Sequence, residues 1–295
     1  MDKKLFLPLL IVTLAEASIG VFVKLTGDAI PVLTLNFYRV LFASIFIFAA
    51  IPLFTKYSLK FPKNNWKDTL IVGVLIAAQI SLFNWAMTLA PIANVVVLWS
   101  VAPFFVFIFS TIFLKEKPRK VHILIFLLAI GGIFIAKPFS GGHVLGNAIA
   151  LFDGAIYAAM VTYLRNEGKE DQGKDIAWSM GFATLILLPA LFISGFGDLG
   201  QVTQQSLFGL NLPAIVWAIC LGIVSTGLAF FFISIVLRDI NANIYSLVDI
   251  IVSPIVAALL GFLIFGEVPE KNFIIGGALL LASGAWLVKS MQIRE

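Results

Sequence analysis

Charged residues are scarce in this chain, and their scarcity excludes an ordinary soluble domain. Only 12% of the 295 residues are charged and 60% are hydrophobic, against roughly 25% charged in soluble domains. Apolar runs such as residues 95–114 have the length of about 20 residues that a helix needs to cross a ~30 Å hydrocarbon layer. They lack the apolar–polar alternation of membrane barrel strands. The composition therefore predicts an all-α integral membrane protein.

Cysteine and histidine are also rare, which excludes several kinds of site. Cys220 is the one cysteine, and His122 and His143 are placed at loop edges without helical pairing. No disulfide framework is possible, and we expect no metal site and no cofactor. The segment "KPFSGGH" (137–143) lacks the ending of a phosphate loop, so ATP-driven transport is not expected. Without a nucleophile arrangement in the apolar runs, an intramembrane lipid-modifying enzyme is not expected either.

Ten candidate membrane spans follow one another along the chain. Most of their connections are short. The two longer ones, 55–68 and 195–212, are polar or rich in Gly and Gln, and neither has the composition of a separate soluble domain. The predicted spans are 5–24, 32–54, 69–88, 94–114, 121–136, 145–165, 176–196, 213–236, 243–265 and 273–290.

The distribution of basic residues predicts the orientation of these spans. With both termini in the cytoplasm, most of the 20 Lys and Arg residues fall in inner segments, and the outer segments hold only Lys24, Lys137 and Lys271. This is the positive-inside bias of a multi-pass protein of the cell (cytoplasmic) membrane. The net charge of +4 is thereby explained by topology, and nucleic-acid binding is not expected.

The first span raises the question of a cleaved signal peptide. Lys3 and Lys4 precede an apolar run that ends in Ala15-Glu16-Ala17, which has the pattern of a cleavage site. Cleavage would remove the first of ten spans and move the N-terminus to the other side. We therefore expect the segment to be retained.

An internal repeat divides the chain. A shift of 151 residues superposes Pro103 on Pro254, Glu116 on Glu267 and Pro118 on Pro269, and a shift of 137 superposes Glu16 on Asp153. The repeat predicts two five-helix domains, 1–138 and 139–295. Five spans are an odd number, so the second domain would be inverted. Inverted repeats around a central cavity are typical of secondary transporters that work by alternating access.

The doubled pattern P-x12-E-x-P, together with "NFYRVLFAS" around Arg39 in the second span, resembles the EamA-type ten-helix members of the drug/metabolite transporter superfamily. The resemblance covers residues 5 to 290. It implies two five-helix repeats around a cavity lined mainly by the first, third, fourth, sixth, eighth and ninth helices. It names no substrate.

Three ionisable residues are predicted at similar depth. Glu16, Arg39 and Asp153 each lie seven or eight residues from the outer end of a span, roughly 12 Å deep at ~1.5 Å per residue. Charges at that depth need a partner or a cavity. An ion pair from Arg39 to Glu16 or Asp153 is allowed, either as a structural clamp or as part of a cavity that leaves one acid for a cation, an amino group or a proton.

Asp249 in the ninth span has no basic residue one turn away, whereas Tyr245 shares its face. An acid there avoids its desolvation cost by protonation or by facing water. It is a candidate for proton coupling or substrate binding, with pairing to a neighbouring helix as the alternative. Further candidates for the cavity wall are polar or aromatic: Gln79, Asn84, Trp99 and Tyr157. Pro103, one turn after Trp99, predicts a kink.

Small-residue pairs predict close helix packing at the ends of the two repeats. The pairs are Gly132 with Ala136 and Ala278 with Ala282. Packing within one chain is the simpler interpretation, and a weak homodimer is the alternative to a monomer.

These observations predict a membrane transporter and not an enzyme. The expected cargo is a small organic metabolite, namely an amino acid or another amine-bearing solute that is exported, with protons as a candidate coupling ion. The alternatives are an uptake permease or exchanger for a metabolite or drug-like cation. A channel is disfavoured because the halves do not repeat Arg39 or Asp249.

Overall fold

The computed structural model describes residues 3–54, 59–115, 120–136, 142–166, 173–232 and 242–292. A 3-10 turn (Gly27–Ala29) follows the second helix and a π-helix (Leu221–Gly227) follows the eleventh. The α-helices, in chain order, are α1 (Lys3–Ala17), α2 (Ile19–Thr26), α3 (Val32–Phe54), α4 (Trp66–Leu89), α5 (Ile92–Trp99), α6 (Ala102–Phe113), α7 (Lys120–Ala136), α8 (Val144–Asn166), α9 (Gly173–Leu187), α10 (Ala190–Ser194), α11 (Ala214–Cys220), α12 (Ala242–Phe265) and α13 (Lys271–Gln292).

The fold is an all-α membrane fold, as the sequence predicts. Seven helical segments of the described chain are long and apolar enough to cross a membrane: Leu7–Ala29, Val32–Phe54, Trp66–Leu89, Ile92–Phe113, Val144–Tyr163, Asp175–Ser194 and Ala214–Phe232. Three shorter apolar helices are Lys120–Ala136, Val252–Phe265 and Lys271–Leu287. Each predicted span overlaps one of these segments. The count of ten crossing helices stays a prediction.

The chain forms two compact units, each built from two stretches of sequence. The first unit comprises Met1–Asn84 and Asp171–Ile240, and the second comprises Trp85–Glu170 and Asn241–Glu295. Each unit thus draws on both halves of the sequence. The predicted domains, 1–138 and 139–295, follow the sequence repeat and stay a prediction.

In the first unit, α3 packs against the π-helix at backbone distance. A Cβ atom on Gly222 would lie 2.8 Å from the carbonyl oxygen of Arg39 and 2.5 Å from Cβ of Phe42. Only glycine permits this approach. It brings the backbone of the π-helix against the turn of α3 that carries Arg39.

In the second unit, α7 and α13 approach closely through Gly132, Ala136 and Gly276. A Cβ on Gly276 would overlap the backbone nitrogen of Ala136 and the carbonyl oxygen of Gly132. The predicted role of Gly132 and Ala136 in packing is therefore confirmed. The predicted role of Ala278 and Ala282 is wrong, because both are exposed and α13 presents Gly276 to α7 instead.

Two predicted spans are interrupted in the middle. The first span breaks at Ser18, between α1 and α2, where the Ser18 hydroxyl bonds the carbonyl of Ala15 at 2.7 Å. The fourth span breaks between α5 and α6, where Pro103 lies in the first turn of α6. Because proline has no N–H, it cannot bond the carbonyl of Trp99 four residues earlier. The predicted kink at Pro103 is confirmed.

Candidate functional site

A buried polar network occupies the first unit, and we call Asn36, Arg39, Asn84 and Thr226 the Arg39 network. Arg39 Nε donates to Thr226 Oγ1 at 2.8 Å, and one of its terminal nitrogens donates to Asn84 Oδ1 at 2.5 Å. Asn84 Nδ2 in turn donates to Asn36 Oδ1 at 2.7 Å. All four side chains are buried. The network joins α3, α4 and the π-helix through side-chain hydrogen bonds.

The helices position this network by simple spacing. Asn36 and Arg39 lie three residues apart on α3, so they share one helix face. Asn84 is presented by α4. An arginine with only 4% of its surface exposed needs such acceptors, because a buried charge without hydrogen bonds is costly in an apolar interior.

The π-helix supplies the third contact through Thr226. Its hydroxyl donates to the carbonyl of Leu221, five residues earlier, at 3.0 Å, and accepts from Arg39. π-Helical turns are rare in proteins overall, but those that occur are frequently found at functional sites. Here the wide turn places one hydroxyl so that it satisfies both the backbone of its own helix and the guanidinium of α3.

A second contact of the π-helix reaches the break in the first span. Ser18 Oγ and Ser225 Oγ lie 2.6 Å apart. Since the single proton of Ser18 is directed at the carbonyl of Ala15, Ser225 is the donor in this pair. Glu16 lies two residues before Ser18 at the end of α1 and is half-buried. The predicted acid is therefore close in sequence to a helix break that the π-helix contacts.

The predicted ion pair of Arg39 with Glu16 or Asp153 stays a prediction. The hydrogen bonds described above run from Arg39 to Thr226 and Asn84. Of the predicted residues, the structure thus joins Arg39 and Asn84 directly.

The second unit holds an aromatic and acidic cluster, which we define as Trp99, Asp153 and Tyr157. The rings of Trp99 and Tyr157 have centroids 5.0 Å apart at an interplanar angle of 59°. Asp153 lies one turn before Tyr157 on α8 and is fully buried. Three of the predicted site residues therefore belong to one unit, two of them in ring contact.

Gly154 explains how α8 reaches the break in the fourth span. A Cβ at this position would lie 3.2 Å from the carbonyl oxygen of Trp99, tighter than an ordinary contact. That carbonyl is the one which Pro103 cannot bond. The glycine lets the backbone of α8 approach it and positions Asp153 and Tyr157 along α5.

The remaining predicted residues are less closely tied to either cluster. Gln79 is half-buried on α4, one turn before the buried Phe83. Tyr245 and Asp249 lie within α12, but their side chains are outside the described residues. His122, which we placed at a loop edge, is buried in α7 with its ring 4.6 Å from that of Phe107. Within the described ranges, no three His, Cys, Asp or Glu side chains could hold a metal ion.

Sequence reasoning missed Asn36 and Thr226 of the Arg39 network, and also Ser225 next to Thr226. Asn36 lies three residues before Arg39 in the same "NFYRVLFAS" stretch, so helical spacing alone could have identified it. Thr226 and Ser225 could not be found this way, because the direction in which they face depends on a π-turn. Neither hydropathy nor α-helical spacing predicts such a turn.

Comparisons with known proteins agree with this architecture. The model of the EamA-like transporter family matches residues 4–136 and again 145–289. The Pseudopaline exporter CntI of Pseudomonas aeruginosa is 25% identical over 264 residues, which cover 88% of this chain and 87% of that protein. A riboflavin transporter of Brucella anthropi is 26% identical over 221 residues, covering 73% and 74% of the two chains.

A solved crystal structure matches over the whole of both chains with a TM-score of 0.64 and 18% identity, which shows a shared fold alone. The family match, by contrast, extends over most of the sequence and recurs in its two halves. This chain is a member of the EamA-like transporter family, and it is a transporter and not an enzyme.

Proposed function

We propose that this transporter exports amino acids or other amine-bearing metabolites across the cytoplasmic membrane by alternating access. Transport itself follows from the family, in which one relative is named an exporter and another a riboflavin transporter. The proposed part is the substrate class, the direction and the mechanism. Two inverted five-helix repeats, 1–138 and 139–295, would supply the two access states. The tandem family match at 4–136 and 145–289 supports that division.

The observation that carries the substrate class is the cluster of Trp99, Asp153 and Tyr157. A buried carboxylate one helical turn from a tyrosine whose ring contacts a tryptophan suits an ammonium group attached to an apolar body. The carboxylate attracts the positive charge, and the rings pack against the remainder of the solute while their electron-rich faces also favour a cation. Glu16, in the first unit, is proposed to carry a coupled proton.

The setting of the proposed transport follows from the charge distribution. We place both termini in the cytoplasm, on the side where most Lys and Arg residues fall. A proton moving through Glu16 or Asp249 is the proposed coupling ion. The working unit is proposed as a monomer or a weak homodimer, since Gly132 and Ala136 of α7 pack against Gly276 of α13 within one chain.

Flux measurements in proteoliposomes test this proposal. Vesicles that contain the purified protein are loaded with labelled amino acids and with amines of the same skeleton. Vesicles without protein, loaded in the same way, are the control. Export predicts efflux that depends on the protein and on the solute. Indifference to the whole panel would remove the proposed substrate class.

The same vesicles separate the alternatives. An exchanger requires unlabelled solute on the opposite side, whereas an exporter coupled to protons responds to an imposed pH gradient. A screen by thermal unfolding identifies which panel members bind, because a ligand that binds the folded state alone raises the unfolding temperature.

A further inference from the structure

In the Arg39 network, the chemistry of arginine determines which atom donates and which accepts in each hydrogen bond. Arginine has five N–H donors and no acceptor, so the atom of Asn84 that faces Arg39 must be its oxygen. The nitrogen of Asn84 is therefore turned to Asn36, and the atom of Asn36 that faces it must again be the oxygen. The two amide orientations thus follow from arginine chemistry and not from a choice between oxygen and nitrogen.

This order leaves one donor at the end of the chain. With its oxygen engaged by Asn84, Asn36 directs its Nδ2 to the opposite edge of the amide group. That nitrogen is buried without a hydrogen-bond partner, and the Asn36 side chain is fully buried. Leaving a buried amide donor unsatisfied destabilises the folded protein. An acceptor atom at this place would restore that loss.

We propose that Asn36 Nδ2 binds a carboxylate oxygen of the transported solute. The inference rests on the proposed function, because it takes the transported solute to carry a carboxylate, and it concerns the first unit alone. A charged acceptor is favoured over a neutral one for a physical reason. The guanidinium of Arg39 polarises Asn84, which polarises Asn36, so the terminal N–H carries enhanced positive character.

Two substitutions replace the outward-facing donor of residue 36 by an acceptor, each in a different way. Asn36→Asp keeps the oxygen that accepts from Asn84 and turns the outward donor into an acceptor. Asn84→Asp places a carboxylate against Arg39, so Asn36 must flip to donate to it and then presents its own oxygen outward. Both variants leave the number of atoms in the network unchanged. A purely structural role of the network does not predict that they alter solute selectivity in the same way.

The experiment measures binding of matched solutes to wild-type protein and to the two variants. The probes are L-phenylalanine with phenethylamine, and L-leucine with isoamylamine, which differ by the carboxylate. The wild type is expected to bind the carboxylate member about tenfold or more tightly than the amine. Both variants are expected to lose that preference. Asn65→Asp, the same chemical change at an exposed position before α4, is the control and should keep it.

Several results would overturn the inference. Equal weakening of both members of a pair in the variants would assign the network a structural role only, and unchanged preference would remove Asn36 from the site. If neither variant folds, the binding measurements on the wild type alone test the proposal. A wild type that binds both members of each pair equally well contradicts it. So does a structure with L-phenylalanine bound in which a water molecule occupies the place next to Asn36 Nδ2.

The outcomes also separate this inference from the proposed function. Flux of amino acids by the wild type, with equal losses in both variants, keeps the function and rejects the role of Asn36. Selective binding of the carboxylate members without flux of any panel solute keeps the role of Asn36 and rejects the proposed transport.

Discussion

The side chain of Glu267 accepts a hydrogen bond from the backbone N–H of Ile92, with Oε2 2.8 Å from the nitrogen. Ile92 is the first residue of α5, where the N–H groups have no partner within the helix. A carboxylate at this end satisfies one donor and lies at the positive end of the helix dipole. The acid of the second copy of the P-x12-E-x-P pattern is therefore a helix cap in this protein.

Removal of this cap is expected to lower stability. Glu267→Ala should cost about 1–2 kcal/mol, and Glu267→Gln, which keeps an acceptor but loses the charge, should cost less. Thermal unfolding in a single detergent measures both. The control is Glu270→Ala, an exposed acid three residues later, for which little change is expected. A loss at Glu270 as large as that at Glu267 would contradict the capping role.

The contact of α7 with α13 gives a second prediction through two glycines. Gly276→Ala should destabilise the protein by about 1–3 kcal/mol, because the new methyl group overlaps backbone atoms of Gly132 and Ala136. Gly131→Ala is the matched control. A Cβ there meets nothing within 4 Å, and alanine is the better helix former. Unfolding temperatures that fall equally in both variants would be inconsistent with this contact.

The third prediction concerns the hydroxyl of Thr226. Thr226→Val keeps the shape but removes the acceptor for Arg39 and the donor to Leu221, so a loss of about 1–3 kcal/mol is expected. Thr226→Ser should retain most of the stability. Thr88→Val serves as control, because that hydroxyl is exposed and bonds its own helix at Trp85. The arrangement would be refuted by a Val variant as stable as the Ser variant.

Proton coupling provides a fourth prediction. Glu16→Gln and Asp249→Asn should retain solute binding, yet at least one of them should lose the dependence of flux on a pH gradient, because an amide cannot carry a proton across. Flux with and without the gradient in proteoliposomes is the measurement. Asp198→Asn, in an exposed loop, is expected to behave as the wild type. If the gradient acts equally on all three variants, neither acid carries the proton.

The inverted repeat is tested by Lys120 and Lys271, which occupy equivalent positions at the 151-residue shift. Both side chains are exposed. In a Cys220→Ala background, Lys120→Cys should react with an impermeant thiol reagent from the cytoplasmic side and Lys271→Cys from the opposite side. Reaction of both from the same side would reject inversion of the second half.

Long apolar runs without apolar–polar alternation were sufficient to predict the helices, since only helices and closed barrels satisfy the backbone in lipid and barrel strands alternate. Proline made the interruption at Pro103 predictable as well, because the missing N–H is a property of one residue. The break at Ser18 was not predicted. It depends on a hydroxyl that bonds its own helix and a partner from a distant segment, Ser225.

For the candidate residues, too, the sequence predicted what depends on single side chains, whereas contacts that depend on helix packing were not predicted. Arg39 and Asn84 were recognised as polar residues in apolar spans, and Trp99 and Tyr157 as aromatic residues on suitable faces. That Arg39 bonds Asn84 depends on how α3 and α4 pack, which periodicity does not specify. Asn36 was predictable from its spacing to Arg39, but an uncharged amide is less conspicuous in an apolar span than a guanidinium.

The π-helix at Leu221–Gly227 makes the length of this segment as important as its composition. The backbone of this segment forms π-turns of five residues instead of the four of an α-turn, and the Thr226 hydroxyl bonds the carbonyl of Leu221, five residues earlier. Deleting one residue between them would restore the ordinary ladder and rotate all that follows by about 100°. The threonine would then turn away from the guanidinium, so homologues that keep this arginine contact should tolerate substitutions between these two residues, Gly222 excepted, far better than single-residue deletions.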